Sequence, residues 1–256
     1  MAGTLTGANL LSRIQDTLQD TTSVRWPEAE LLRYINDAQR EIVNFRPESS
    51  ATTSNVQLVT GTKQALPSGG LRLIKLTRNM SAASGSATGK RAIRIVNADI
   101  LNTQEPDWND PTVSGDAAHG TIVKHYMFDE DDPRNFYVYP GVAGNAFVEI
   151  VFSASPTDLA NSSATISVDD IYANAIIDFV LYRAYMKDAE YAGNAQRAQN
   201  HYQLFTASIG QGGQAQMLLD PNNDPVSNLG AVPRVCLLYT SPSPRDPIGS
   251  RMPSSA

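Results

Sequence analysis

Cysteine is all but missing from this chain of 256 residues: the single one, Cys236, sits in the last stretch. That stretch is set aside below, and without it the chain has no disulfide framework, no thiolate metal site and no cysteine nucleophile. Histidine is nearly as scarce. His119, His125 and His201 lie far apart, and none has a second ligand three or four residues on. A zinc site needs about four ligands in a tetrahedral array, so surface or packing roles are expected for all three. No apolar run reaches the roughly 18 residues of a membrane-spanning helix, and the N-terminus does not read as a signal peptide. There is no GxSxG, P-loop or GxGxxG pattern. Gly210-Gln211-Gly212-Gly213 follows a helical pattern instead of preceding one, the wrong polarity for holding phosphate on a helix N-terminus.

Charge is short on the positive side. Lys and Arg number 20 against 26 Asp and Glu, for a net charge of −6. A general nucleic-acid binder needs clustered Lys and Arg to displace counterions, so this balance argues against one.

The C-terminal stretch reads as foreign. CLLYTSPSPRD at Cys236–Asp246 and SRMPSSA at Ser250–Ala256 can be written in codons that spell a transposase-based library adapter, with an index-sized gap between them. A Ser/Pro-rich disordered tail would explain the composition but not the two matching blocks. Residues 236–256 are therefore expected to be an artefactual tail, disordered, interrupting the natural frame near Arg234-Val235. Without it the net charge is about −7.

The remainder predicts an α+β fold. Leu10, Leu11, Ile14 and Leu18 share a helical face. Trp26-Pro27-Glu28 starts a second helix, with Pro in the first turn and Glu28 and Glu30 near the positive end of its dipole. Its seam is Leu31, Ile35, Ala38, Ile42 and Phe45, and Pro47 stops it. The middle is expected to be β-rich. Val56–Thr60 alternates up to a Gly61 turn, and in Leu71–Thr77 the residues Leu71, Leu73, Lys75 and Thr77 face one side and Arg72, Ile74 and Leu76 the other. Ser81–Gly89 is a small-residue loop, Ala98–Leu101 a single helical turn and Gln104–Gly120 an irregular excursion. Strands at Thr121–Phe128, Asn135–Tyr139 and Ala146–Ser153, separated by DEDDPRN and PGVAGN turns, predict an antiparallel meander.

Beyond it, Ser167 or Asp169 caps a helix with Ile171, Ala175, Phe179, Tyr182 and Met186 in period. Ile176, Ile177, Val180 and Leu181 make that helix apolar nearly all round, which calls for burial by its own fold or by a neighbouring subunit. A further helix carries Ala195, Ala198, Tyr202, Phe205 and Ile209, with Gly210 as its cap and Gln211–Arg234 as an extended arm. The expected divisions are a helical hairpin (1–50), a β-rich domain (51–160), C-terminal helices packing with the hairpin as a helical bundle (161–210), the arm (211–235) and the tail (236–256).

Among candidate sites only the acidic run Asp129, Glu130, Asp131 and Asp132 stands out. A cation site or a negative rim facing DNA is one reading. A calcium loop, however, alternates its ligands around a central Gly and ends on a bidentate Glu, which this run lacks. A solvated hairpin turn explains the same residues. Asp169 and Asp170 stand where a helix begins, so capping accounts for them. No catalytic residues, cofactor or metal are expected.

Several strings, in order, resemble the head-to-tail adaptor (connector) proteins of short-tailed and related bacteriophages. They are WPEAELLRYINDAQREIV at Trp26–Val43, RPES at Arg46–Ser49, GTKQALP at Gly61–Pro67, HYMFDEDDPRNFYVYP at His125–Pro140 and YANAIIDFVLYRAYMKDAEYAGNAQRAQNHYQLF at Tyr172–Phe205. The resemblance spans most of Leu10–Gly210. It implies a non-enzymatic virion protein at the head–tail junction, assembled in the bacterial cytoplasm. Such a subunit joins copies of itself in a ring, commonly a dodecamer, under the portal protein and presents a platform to a tail hub or nozzle protein. Double-stranded DNA passes through without specific binding, and no membrane is involved. The C-terminal arm of such adaptors often lies along the portal. Another tail-completion or assembly protein is the alternative; a cell-wall hydrolase would need a catalytic cluster that the residues do not present.

Overall fold

The structure, a computed structural model, describes residues 3–128, 131–191 and 193–219. Residues 3–213 belong to one compact unit. The expected tail at 236–256, and the part of the arm beyond Leu219, lie outside the described residues.

Helix α1 (Gly7–Leu18) starts at Thr6, whose side chain accepts the Asn9 N–H, and buries Leu10, Leu11, Ile14 and Leu18. It ends in the left-handed Gln19. Asp20 then accepts three backbone N–H groups, from Val24 at 3.0 Å, Arg25 at 2.8 Å and Trp26 at 2.9 Å. The Trp26 bond is the chief reason its carboxyl sits below the usual range. This nest fixes the turn that leads through Pro27 into α2 (Glu28–Phe45).

Leu31, Ile35, Ala38 and Ile42 of α2 are fully buried, while Phe45, expected on the same seam, is half exposed. A 3₁₀ turn at Asp170–Tyr172, capped by Asp169, leads into α4 (Ala173–Lys187). The helix thus begins after Ile171, which is 73% exposed, and Met186 in its last turn is exposed too. Its other apolar positions meet α1, α2 and α5 (Asn194–Leu219) in one cluster that includes Leu10, Ile14, Ile35, Ile176, Val180 and Phe205. The nearly all-round apolarity of α4 is therefore largely absorbed within this chain. Each fully buried Leu, Ile or Phe contributes about 1.5–3 kcal/mol.

Gly210 does not end α5, and residues 211–219 are helical, not extended. Glycine inside a helix costs only about 1 kcal/mol relative to alanine. Here Gln, Ala, Met and Leu surround the three glycines and no proline intervenes.

The β region has two four-stranded sheets. In the first the order is β1 (Ala51–Gln57), β8 (Phe147–Ala154), β3 (Gly70–Met80), β4 (Gly89–Ala92). In the second it is β2 (Gly61–Ala65), β7 (Asn135–Val142), β6 (His125–Met127), β5 (Arg94–Ile95). Strand pairs are antiparallel except β5 with β6. Leu73, Leu76, Val148, Ile150 and Phe152 from the first sheet share a core with Tyr126, Phe136, Val138 and Val142 from the second.

Three expectations are corrected here. The meander does not form, because β7 pairs with β2 and β6 while β8 pairs with β1 and β3. Turn chemistry at PGVAGN reads alike whether the chain folds back on its neighbour or crosses to the facing sheet. Strand β1 spans Ala51–Gln57, and Gly61 opens β2 at φ 108°, a value that favours glycine.

The third correction concerns β3, which does not alternate. Register shifts against β8 fall between Gly70 and Arg72, Leu73 and Lys75, and Leu76 and Arg78. Each inserts one extra residue (Leu71, Ile74, Thr77), as a β-bulge does. The side-chain period becomes three. Leu73, Leu76 and Asn79 point inward opposite Phe152, Ile150 and Val148, while Arg72, Lys75 and Arg78 point outward opposite Ser153, Val151 and Glu149.

On the far face of the second sheet lie α3 (Ala98–Gln104), longer than the single turn expected, and the excursion after it. Leu101, Trp108 and Ala117 pack there on Met127 and Tyr139. The Trp108 indole donates to Asn102 Oδ1 at 2.8 Å and meets the Tyr137 ring edge-on.

Candidate functional site

Of the acidic run, Asp129 and Glu130 lie outside the described residues. Asp132 holds the β6–β7 turn: both its carboxylate oxygens accept from Asn135 Nδ2 at 2.9 Å, and its carbonyl accepts the Asn135 N–H at 3.1 Å. Lys63 Nζ on the neighbouring strand β2 is 3.6 Å from Asp132 Oδ2. Asp131 is exposed and borders an open groove of about 970 Å³, with Asn97, Asn102, Trp108, Phe128 and Tyr137 among its lining. Asp131 and Asp132 therefore stand at one end of the second sheet, Asp131 exposed beside the groove and Asp132 committed to a turn.

The three histidines stay apart in role. His201 Nδ1 lies 2.9 Å from Asp178 Oδ1, and its ring stacks on Tyr185, joining α5 to α4. The His119 ring lies flat over Gly141, where any Cβ would come within 2.5 Å of it. His125 stacks on Tyr139. Burial, followed by the positive charges of Arg91, Arg94 and Lys124, keeps His125 below the usual histidine pKa. Among the described residues no group of three or more His, Cys, Asp or Glu is arranged to hold a metal.

Asp169 and Asp170 divide two tasks. Asp169 accepts the Ile171 N–H at 3.1 Å, as a cap. Asp170 turns toward the N-terminus and accepts the Thr4 N–H at 2.8 Å, the Thr4 hydroxyl at 2.6 Å and the Leu5 N–H at 3.1 Å. The Thr4 hydroxyl bond leads in holding its carboxyl below the usual range. Nothing in the sequence around Asp170 distinguishes this clamp from a second cap.

Sequence reasoning also passed over the buried amides. Asn79 on β3 donates to the Arg91 and Val123 carbonyls, at 2.9 and 2.8 Å, and accepts the Val123 N–H at 2.8 Å. It thereby links the first sheet to the segment that enters β6. Gln64 bonds both backbone groups of Val59, and Asn36 those of Leu159. Gln39 accepts the Ser167 N–H at 2.6 Å. Each holds a residue outside the named strands and helices, Val123, Val59, Leu159 or Ser167, and a lone Asn or Gln in an apolar pattern is the only sequence signal for them.

Charge pairs ring the helical cluster. Lys187 Nζ lies 2.7 Å from Glu30 Oε2, and Tyr34 donates to Glu30 Oε1 at 2.8 Å. Burial and this carboxylate push the Tyr34 hydroxyl up to about 12. Arg25 pairs with Asp188 at 2.6 Å and lies over the Trp26 and Tyr191 rings. Outside that rim, Met186, Tyr191, Tyr202 and Leu204 are exposed.

These polar groups serve the backbone, clamp chain segments together or border faces and grooves. The family model described as SU10 adaptor protein matches residues 5–226. The chain belongs to this family, and is thus a bacteriophage head-to-tail adaptor protein, a structural constituent of the virion. No curated protein matches the sequence.

Proposed function

We propose that the chain is the subunit of a homo-oligomeric ring that binds under the portal, connects it to the tail and lines part of the DNA channel for genome retention and ejection. The observation that carries this reading is the family match over residues 5–226. Two physical features support it. The exposed apolar side chains at the ends of α4 and on α5, Ile171, Met186, Tyr202 and Leu204, leave surface for contacts between subunits. A net charge of −6 disfavours arrest of DNA on the protein, because a conduit that bound phosphate would hinder sliding. The carboxylates of Asp131 and Asp132, at the end of the second sheet, are candidates for the rim of that channel.

Electron microscopy of the purified chain mixed with the portal protein from the same genome tests this. Rings seated on the portal are expected; failure of the two to associate overturns the proposal. Mass spectrometry of purified virions separates the adaptor role from that of an assembly factor that leaves the particle.

A further inference from the structure

The charge of this acidic protein is unevenly placed. From Leu71 to Ala98 there are six cations, Arg72, Lys75, Arg78, Lys90, Arg91 and Arg94, and no carboxylate. From Ile95 to Val123 there is no Lys or Arg, while Asp99, Glu105, Asp107, Asp110 and Asp116 supply negative charge. Most of the basic segment goes to the first sheet, with Arg94 on the edge strand β5 of the second, while the acidic segment covers the outer face of the second sheet. On the first sheet, three consecutive bulges bring Arg72, Lys75 and Arg78 out on the same side, away from the shared core. Strand β4, the edge of that sheet, adds the exposed Lys90.

The four strands of this sheet contain one carboxylate, Glu149, and Arg78 binds it, at 2.7 Å from NH2 and 2.8 Å from Nε. On the second sheet, the outer face is covered by α3 and the excursion, which carry Asp99, Glu105, Asp107 and Asp110 into solvent.

We infer that the basic outer face of the first sheet docks on the acidic layer over the second sheet of another copy of this chain. The contact pairs two different surfaces, so it repeats head to tail, the kind of interface that closes a ring when the rotation allows. Charge complementarity chooses the occupant: the layer that would neutralise the basic face is on the opposite side of the same domain. Duplex DNA is the other polyanion at hand, but the chain's excess of carboxylates opposes its approach. This inference rests on the reading of the chain as a ring subunit and assigns that reading a face.

The test uses the full chain, mixed as light and heavy isotopic forms, concentrated, and treated with a zero-length carbodiimide. Heavy–light links from Lys75 or Lys90 to Glu105 or Asp107 are expected. Two charge reversals, Lys75→Glu with Lys90→Glu and Glu105→Lys with Asp107→Lys, alter exposed side chains, and thermal melting checks that each variant is folded. Each alone should weaken self-association about tenfold. An equimolar mixture should restore it, since every contact in an alternating assembly then joins opposite charges. Salt at about 1 M, with a Debye length of about 3 Å, should weaken the native contact as well.

Self-association that neither reversal alters, or the absence of heavy–light links at these positions, overturns the inference. So does tight binding of a labelled DNA duplex that is lost with Lys75→Glu and Lys90→Glu while self-association is not. If the chain seats on the portal and these results are negative, the face assignment fails and the ring reading survives. If it never seats on the portal, the ring reading fails on its own measurement.

Discussion

The helical cluster and the β-sandwich both sink amides bonded to backbone, Asn36 and Gln39 on α2 and Asn79 and Gln64 on β3 and β2, and the helical cluster adds charge pairs at its rim. Around the helices, charges pair on the rim, as Glu30 does with Lys187 and Arg25 with Asp188, and the partners remain partly exposed. In the sandwich, the polar groups that matter are neutral amides sunk in the core, Asn79 and Gln64 at 2% exposure each, bonded to backbone. Rim pairs are weakened by salt and pH, while buried amides respond to neither and cannot be removed without leaving backbone groups unsatisfied. The helical part therefore combines a rim that salt tunes with amides that salt does not reach. The sandwich is internally locked by its amides, and it displays charge on its outer faces.

The largest effects should come from the two cores and should be alike. Phe205 is fully buried among Phe45, Phe179 and Tyr202, and Phe136 is fully buried between the sheets. Phe205→Ala and Phe136→Ala should each cost about 3–5 kcal/mol. Because both lie in one compact unit, urea unfolding followed by circular dichroism should show one transition in each variant. A biphasic curve for Phe205→Ala alone would break the comparison by showing that the helices unfold separately.

Next comes Asn79→Ala, which strips three backbone bonds, two from the first sheet to Val123 on the β6 approach and one to Arg91 on β4. A loss of about 1–3 kcal/mol is expected, unchanged between low and high salt. Glu30→Gln should cost less, about 0.2–1 kcal/mol after screening of its partly exposed partner, and that loss should shrink as salt rises. Equal salt dependence in these two variants would erase the proposed difference between rim and core.

The smallest effect is local. Asp170 has a folded pKa below its unfolded value, so its contribution is complete above the ordinary carboxylate pKa of about 3.9 and is lost as pH falls through the folded value. Amide exchange at Thr4 and Leu5 should speed up below that pH, and Asp170→Asn should show fast exchange at neutral pH. Protection that persists in the variant would show that the N-terminal segment is held by its bonds to 162–166 instead.

How far these regions could be read from residues follows the same division. Helical hydrogen bonds close within four residues, so the positions of Leu10, Ile14, Leu31 and Ile42 declare their own face. The ends went astray, at Ile171 and at Gly210, where a start or stop depends on what the next segment does, and Tyr202, expected on the apolar face of α5, is exposed. Strand pairing is non-local. The bulges that give Leu73, Leu76 and Asn79 a common side are imposed by register with β8, about seventy to eighty residues on, and no alternation in the sequence could announce them. Likewise PGVAGN names a turn but not the sheet to which the chain returns. At the site, Asp132 was legible as a turn residue, whereas the clamp at Asp170 and the separation of basic and acidic faces emerge only once the chain is folded.

The adaptor assignment is most directly tested by cryo-electron microscopy of the tailed particle whose genome encodes this chain. Repeated copies between portal and tail are expected, with the sandwich and helical cluster fitting the density of each. A particle whose junction density is filled by other proteins, with this chain absent, would contradict it.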